Sequence, residues 1–179
     1  LLAGGTLIGF GIASRVLGRG GEPLNLGLIG AMIGIPGFSA IILSSLGGGA
    51  LMFLAGTVAT GLGAGLFGHA TLTATMRTAP RHQIGLALGT WGAVQATSAG
   101  VGVALAGIVR DVIVAMSEPG STQAYVPYNA VFAIEILFLV LACAMLLGLS
   151  GAMSRTKQQT TDLHQRSTQD THSNAAEAS

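Results

Sequence analysis

The chain has 179 residues, 50% of them hydrophobic and 8% charged, with a formal net charge of +1 and a mean hydropathy of +0.67. A soluble domain carries about 25% charged residues, so the composition excludes an ordinary soluble domain and points to a polytopic membrane protein. The charge balance contains no long basic run, so nothing points to nucleic acid as a partner.

Five glycine-laced apolar segments, with Arg15 and Glu135 their only charged residues, follow in chain order: 1–17, 26–46, 50–76, 84–109 and 129–149. Each is about the length that crosses a hydrocarbon core of about 30 Å as a helix. The expected fold is therefore all-α, a polytopic transmembrane helical bundle over residues 1–150. Leu1 opens inside an apolar run without an initiator Met, which predicts that the chain is a fragment with an N-terminal part missing. The basic n-region and cleavage site of a signal peptide are absent from the first segment. Residues 151–179 are polar, with Lys157-Gln-Gln-Thr-Thr and Ser167-Thr-Gln-Asp, and predict a short disordered tail. The single cysteine, Cys143, falls in the last apolar segment. It offers no disulfide framework or metal-site spacing and reads as a small packing residue.

The connections alternate in charge. Arg15 and Arg19 lie at the C-terminal end of the first segment, Arg77 and Arg81 follow the third, and Arg155, Lys157 and Arg166 follow the fifth. These are seven of the eight basic residues; the eighth, Arg110, is followed directly by Asp111. The positive-inside rule then places the 15–25 and 77–83 connections and the C-terminal tail in the cytoplasm.

In the second segment, Pro36-Gly37 predicts a kink, read as packing or as a hinge. The third and fourth segments carry small residues at four-residue spacing. Gly61 and Gly65 in one, and Gly85, Gly89, Gly92 and Gly100 in the other, predict tightly packed interior helices. Ionisable residues inside a span are costly and face a partner or a cavity. Glu135 is such a residue. It reads as a proton-coupling carboxylate, a pigment-facing group, or a helix contact to Arg110 or a hydroxyl. His69 reads as a pigment ligand or an interhelical hydrogen-bonding group. Gln95, Thr97 and Ser98 form a polar patch that either lines a cavity or joins helices, and Trp91 reads as an anchor or a packing residue. Arg77, Arg81 and His82 make a basic turn that could hold anionic headgroups, pair with acids, or set topology. No catalytic constellation, phosphate loop or metal-pair spacing is present, so neither an enzyme nor a metal site is expected.

The run Gly65-Leu-Phe-Gly-His-Ala-Thr-Leu-Thr-Ala-Thr-Met-Arg-Thr-Ala-Pro80 continues into Gly85-Leu-Ala-Leu-Gly-Thr-Trp-Gly-Ala-Val-Gln-Ala-Thr97 and ends in Ala106-Gly-Ile-Val-Arg-Asp111. It resembles the PucC-type proteins, the bacteriochlorophyll-delivery branch of the major facilitator superfamily. The resemblance implies a twelve-helix fold of which these are the last five helices. It also implies residence in the bacterial inner (photosynthetic intracytoplasmic) membrane and a role in assembling light-harvesting antenna complexes. The implied partners are antenna polypeptides, membrane lipid and bacteriochlorophyll, the last as bound cargo. Gln95, Thr97 and Glu135 are then the groups expected to face pigment. A proton-coupled transporter of a small amphipathic solute, working through Glu135, is the alternative, and a scaffold that handles no ligand is a third reading.

Overall fold

The computed structural model describes residues 1–116, 125–148 and 151. The predicted tail, from 152 onward, lies outside the described residues. The chain divides into two compact units, Leu1–Cys143 and Ala144–Ser179. The described part of the second is the last turn of a helix and Gly151.

The described residues are helical, with no strand among them. The first helix, α1, is Leu2–Gly18. Helix α2 is Pro23–Leu43, α3 is Gly49–Thr78, α4 is Ile84–Met116 and α5 is Val126–Gly148. The stretches Pro23–Thr78, Arg81–Met116 and Val126–Gly148 are long and apolar enough to cross a membrane. The first of them holds both α2 and α3. Helix α1, with 17 residues, stands at the lower end of the spanning range of about 17–25. The fold is an all-α bundle of membrane helices.

Local chemistry sets the element ends. Helix α1 closes at Gly20 (φ +90°), and α2 begins with Pro23 in its first turn, where the missing N–H is no loss. The helix continues through the exposed Pro36 to Leu43. The chain then reverses through Ser44–Gly48. Gly47 (φ +119°) and Gly49 (φ +74°) hold left-handed backbone there, which only glycine adopts without strain. Helix α4 runs on through Met116 instead of stopping near Val109. Arg110 and Asp111 are adjacent on it and paired at 2.8 Å, so the helix leaves the apolar segment without exposing an isolated charge.

Helix α3 lies between α1 and α2, and glycine makes both seams. Against α2, Gly30 meets the backbone of Gly63 and Phe67, Gly37 meets Thr60, and Gly56 meets Gly37 and Ile41. The order of these pairs makes α2 and α3 antiparallel. Against α1, Gly5 meets Val58, Gly61 and Leu62, and Gly9 meets Leu62, Gly65 and Leu66; these two helices run parallel. Membrane helices lack a hydrophobic driving force between them and associate through this kind of close backbone approach. The buried core is small: Ala13, Leu17, Leu26, Leu66 and Ala70, with Ile33 and Leu62 packed on it.

Helix α5 lies beside α2 in the opposite sense. Leu139 packs on Gly34, Phe132 on Phe38 at 5.8 Å, and Asn129 Nδ2 donates to Ser45 Oγ at 2.8 Å. Helix α4 has no buried residue. No atom lies within 4 Å of a β-carbon built at Gly85, Gly89, Gly92 or Gly100. Among the described residues, then, Gly56, Gly61, Gly63 and Gly65 of α3 pack against α1 and α2, whereas the glycines of α4 meet no other element. The spacing of small residues creates a face that permits close approach, and among the described residues no element fills it.

Candidate functional site

The sequence-predicted site residues stand on three separate surfaces. His69 lies on α3 at the α1 seam. Its ring meets Phe10 edge-on, with centroids 5.6 Å apart at 87°. Among the described residues its ring nitrogens make no hydrogen bond, and the T-shaped contact is an ordinary aromatic packing geometry. The threonines after it turn inward on their own helix: Thr71 Oγ1 donates to the Phe67 carbonyl at 3.0 Å, Thr73 to that of His69 at 2.9 Å and Thr75 to that of Thr71 at 2.9 Å. This back-bonding supplies each hydroxyl hydrogen with an acceptor inside an apolar medium.

Gln95 and Thr97 are exposed on α4. Among the described residues neither side chain makes a hydrogen bond, so their donors and acceptors are available to something that lies against this helix. Trp91, one turn before Gln95, donates its indole N–H to Thr71 Oγ1 at 3.4 Å and ties the start of α4 back to α3.

Glu135 is half-buried on α5 and lines a cavity of about 160 Å³ between α4 and α5. The other walls are apolar, with Leu105 and Val109 from α4 and Val131 and Phe138 from α5 among them. The structure does not bring Glu135 to Gln95. The cavity starts on α4 at Gly102, about 10 Å along the helix at 1.5 Å per residue. Arg110 is engaged elsewhere, paired with Asp111 at 2.8 Å and set over the Tyr128 ring at 5.8 Å. Small-molecule pockets occupy about 300–1,000 Å³, so the Glu135 cavity admits a proton, a water or a small solute group.

The basic turn is divided in function. Arg77 reaches back to the end of α1, with Nη1 on the Gly21 carbonyl at 3.0 Å and Nη2 on the Leu17 carbonyl at 3.1 Å. A cation on the final carbonyls of a helix satisfies orphan acceptors and complements the dipole. Arg81 and His82 are exposed. Among the described residues, no group of three or more His, Cys, Asp or Glu could hold a metal.

Gly5 and Gly9 on α1 and Gly56 on α3 escaped the sequence reading. Like Gly61 and Gly65, and like Gly30, Gly37 and Gly63 on the α2–α3 seam, they stand close against neighbouring backbone. The four-residue spacing of Gly5 and Gly9 was a usable signal. The Ser45–Asn129 bond had none, because it joins residues 84 apart in the chain.

The comparisons with known proteins agree on one family. Residues 1–154 match the family described as PUCC protein. The chain is 62% identical over 146 residues to Protein PucC of Rhodobacter capsulatus, covering 80% of this chain and 32% of that protein. It is 52% identical over 147 residues to Protein PucC of Cereibacter sphaeroides, covering 82% and 32%. It is also 38% identical over 109 residues to an uncharacterised MFS-type transporter of Mycobacterium tuberculosis, covering 59% and 18%. The chain thus spans about a third of the length of the PucC proteins it matches. No solved structure matches it. With the family match running through all five helices and the glycine-rich seams between them, the chain belongs to the PUCC protein family.

Proposed function

We propose that this chain serves an integral-membrane assembly factor for bacterial light-harvesting antenna complexes, and that it works by binding rather than by bond-making. Its cargo would be bacteriochlorophyll, antenna polypeptides, or both. The observation that carries this reading is the face of α4 that stands open among the described residues: a membrane helix with no buried residue, glycines with no described neighbour, and Gln95 and Thr97 with no described partner. A flat helix surface of that kind suits a planar macrocycle or another helix, and the amide and hydroxyl can bond to pigment carbonyls. The names of the PucC relatives support the photosynthetic setting. The basic end of the bundle faces the cytoplasm, in a photosynthetic intracytoplasmic membrane of the bacterial inner-membrane system.

The test is an absorption spectrum of the full-length protein, purified in mild detergent from a phototrophic host. Bacteriochlorophyll bands with antenna polypeptides in the same peak are expected. Gln95→Leu should lower the pigment recovered per protein several-fold without loss of folded protein. Unchanged pigment and antenna assembly in a Gln95→Leu, Glu135→Gln double variant would remove these residues from the role.

The second reading, a proton-coupled transporter of a small amphipathic solute, draws on the MFS-type relative and on Glu135 in its apolar-walled cavity. It expects a colourless protein whose solute uptake is abolished by Glu135→Gln while the fold remains.

A further inference from the structure

We propose that the groove between the end of α3 and the start of α4 is a binding site for an anionic phospholipid, separate from the pigment-facing residues. The groove measures about 490 Å³ and is walled by Thr75, Ala79, Pro80, Gln83, Leu86 and Trp91, continuing along α4 to Val94. Leu86, Thr90 and Val94 stand four residues apart on α4 and make one strip, about 12 Å long at 1.5 Å per residue. That strip follows the axis of a membrane helix, the direction an acyl chain takes beside it. The Trp91 ring closes one side, held by its bond to Thr71 at 3.4 Å.

The headgroup end is cationic. Pro80 and Gln83 line the groove, and between them Arg81 and His82 are exposed. Among the described residues the only ion pair is Arg110–Asp111, and none of their carboxylates is paired with Arg81. The first turn of α4 contains no acidic residue, and the positive end of a helix dipole favours an anion. Arg77, fixed on the Leu17 and Gly21 carbonyls, adds positive charge two residues from Thr75. An apolar slot that runs along the helix and opens on a guanidinium at the membrane boundary matches an acyl chain joined to a phosphate. A zwitterionic lipid fills the slot but gains less from Arg81.

Trp91 reports directly on occupancy. The full-length protein is reconstituted in phosphatidylcholine vesicles containing either brominated phosphatidylglycerol or brominated phosphatidylcholine. The Trp91 signal is isolated as the emission lost in Trp91→Phe. Brominated phosphatidylglycerol should quench that signal at about fivefold lower mole fraction than brominated phosphatidylcholine, the ratio expected from one basic side chain at an anionic surface. Arg81→Gln should bring the two lipids together, and Arg81→Lys should keep most of the difference. Equal quenching by both lipids in the parent protein overturns the proposal. So does a preference that survives Arg81→Gln, or a Trp91 signal that neither lipid reaches because another protein segment or a pigment fills the groove.

Discussion

A β-carbon at Gly65 would meet the carbonyl oxygen of Thr6, the Cα of Gly9 and the amide of Phe10, while one at Gly68, a turn further along α3, would meet nothing. The two glycines look alike in sequence and differ only in what stands opposite. Backbone cannot yield as a flexible side chain does, so Gly65→Val must part α1 from α3. Overpacking of this kind costs about 1–3 kcal/mol. The midpoint of thermal unfolding in mild detergent should fall for Gly65→Val and stay near the parent value for Gly68→Val. A comparable fall for both would mean that helix propensity, not the seam, dominates.

At the level of elements, Arg77 fastens the end of α3 to the end of α1. Its two nitrogens reach the Gly21 carbonyl within the α1–α2 connection and the Leu17 carbonyl in the last turn of α1, at 3.0 and 3.1 Å. The planar fork suits this double contact, and lysine offers a single point charge in its place. The side chain is exposed, so the bonds compete with water and their loss should cost about 1 kcal/mol, below the range for buried charged hydrogen bonds. Arg77→Gln should lower the unfolding midpoint, with Arg77→Lys between it and the parent. Arg81→Gln, which removes no such bond, should leave it unchanged. At the far end of the bundle the Asn129–Ser45 bond joins α5 to α2, and interhelical bonds in membranes average about 0.6 kcal/mol.

For the whole molecule, the contacts gather charge at one end. Arg77 touches Leu17 and Gly21, which brings the Arg15–Arg19 region and the basic turn together. The glycine reversal at 47–49 and the Ser45–Asn129 bond lie at the other end. With the basic end in the cytoplasm, a membrane-impermeant maleimide should label Leu46→Cys on intact spheroplasts and His82→Cys only after permeabilisation, each in a Cys143→Ser background. Labelling with the opposite sidedness would invert the proposed orientation.

Composition and apolar segment length by themselves determined that this is an all-α membrane protein, because burying so few charges among so many apolar residues leaves no other solvent. The motif from Gly65 to Asp111 determined the family. The distribution of arginines among the connections determined which of them share an end of the bundle. Only the tertiary structure decided what each feature meets. It set Gly61 and Gly65 against α1 and, among the described residues, left Gly85, Gly89, Gly92 and Gly100 open. It placed His69 on a packing seam, Glu135 in a small cavity, and Gln95 and Thr97 on an uncovered face. It also committed Arg77 to carbonyls that no charge count identifies. The physical reason is common to all of these. Local spacing fixes which side of a helix is small, polar or charged, whereas the partner across that side comes from a distant part of the chain.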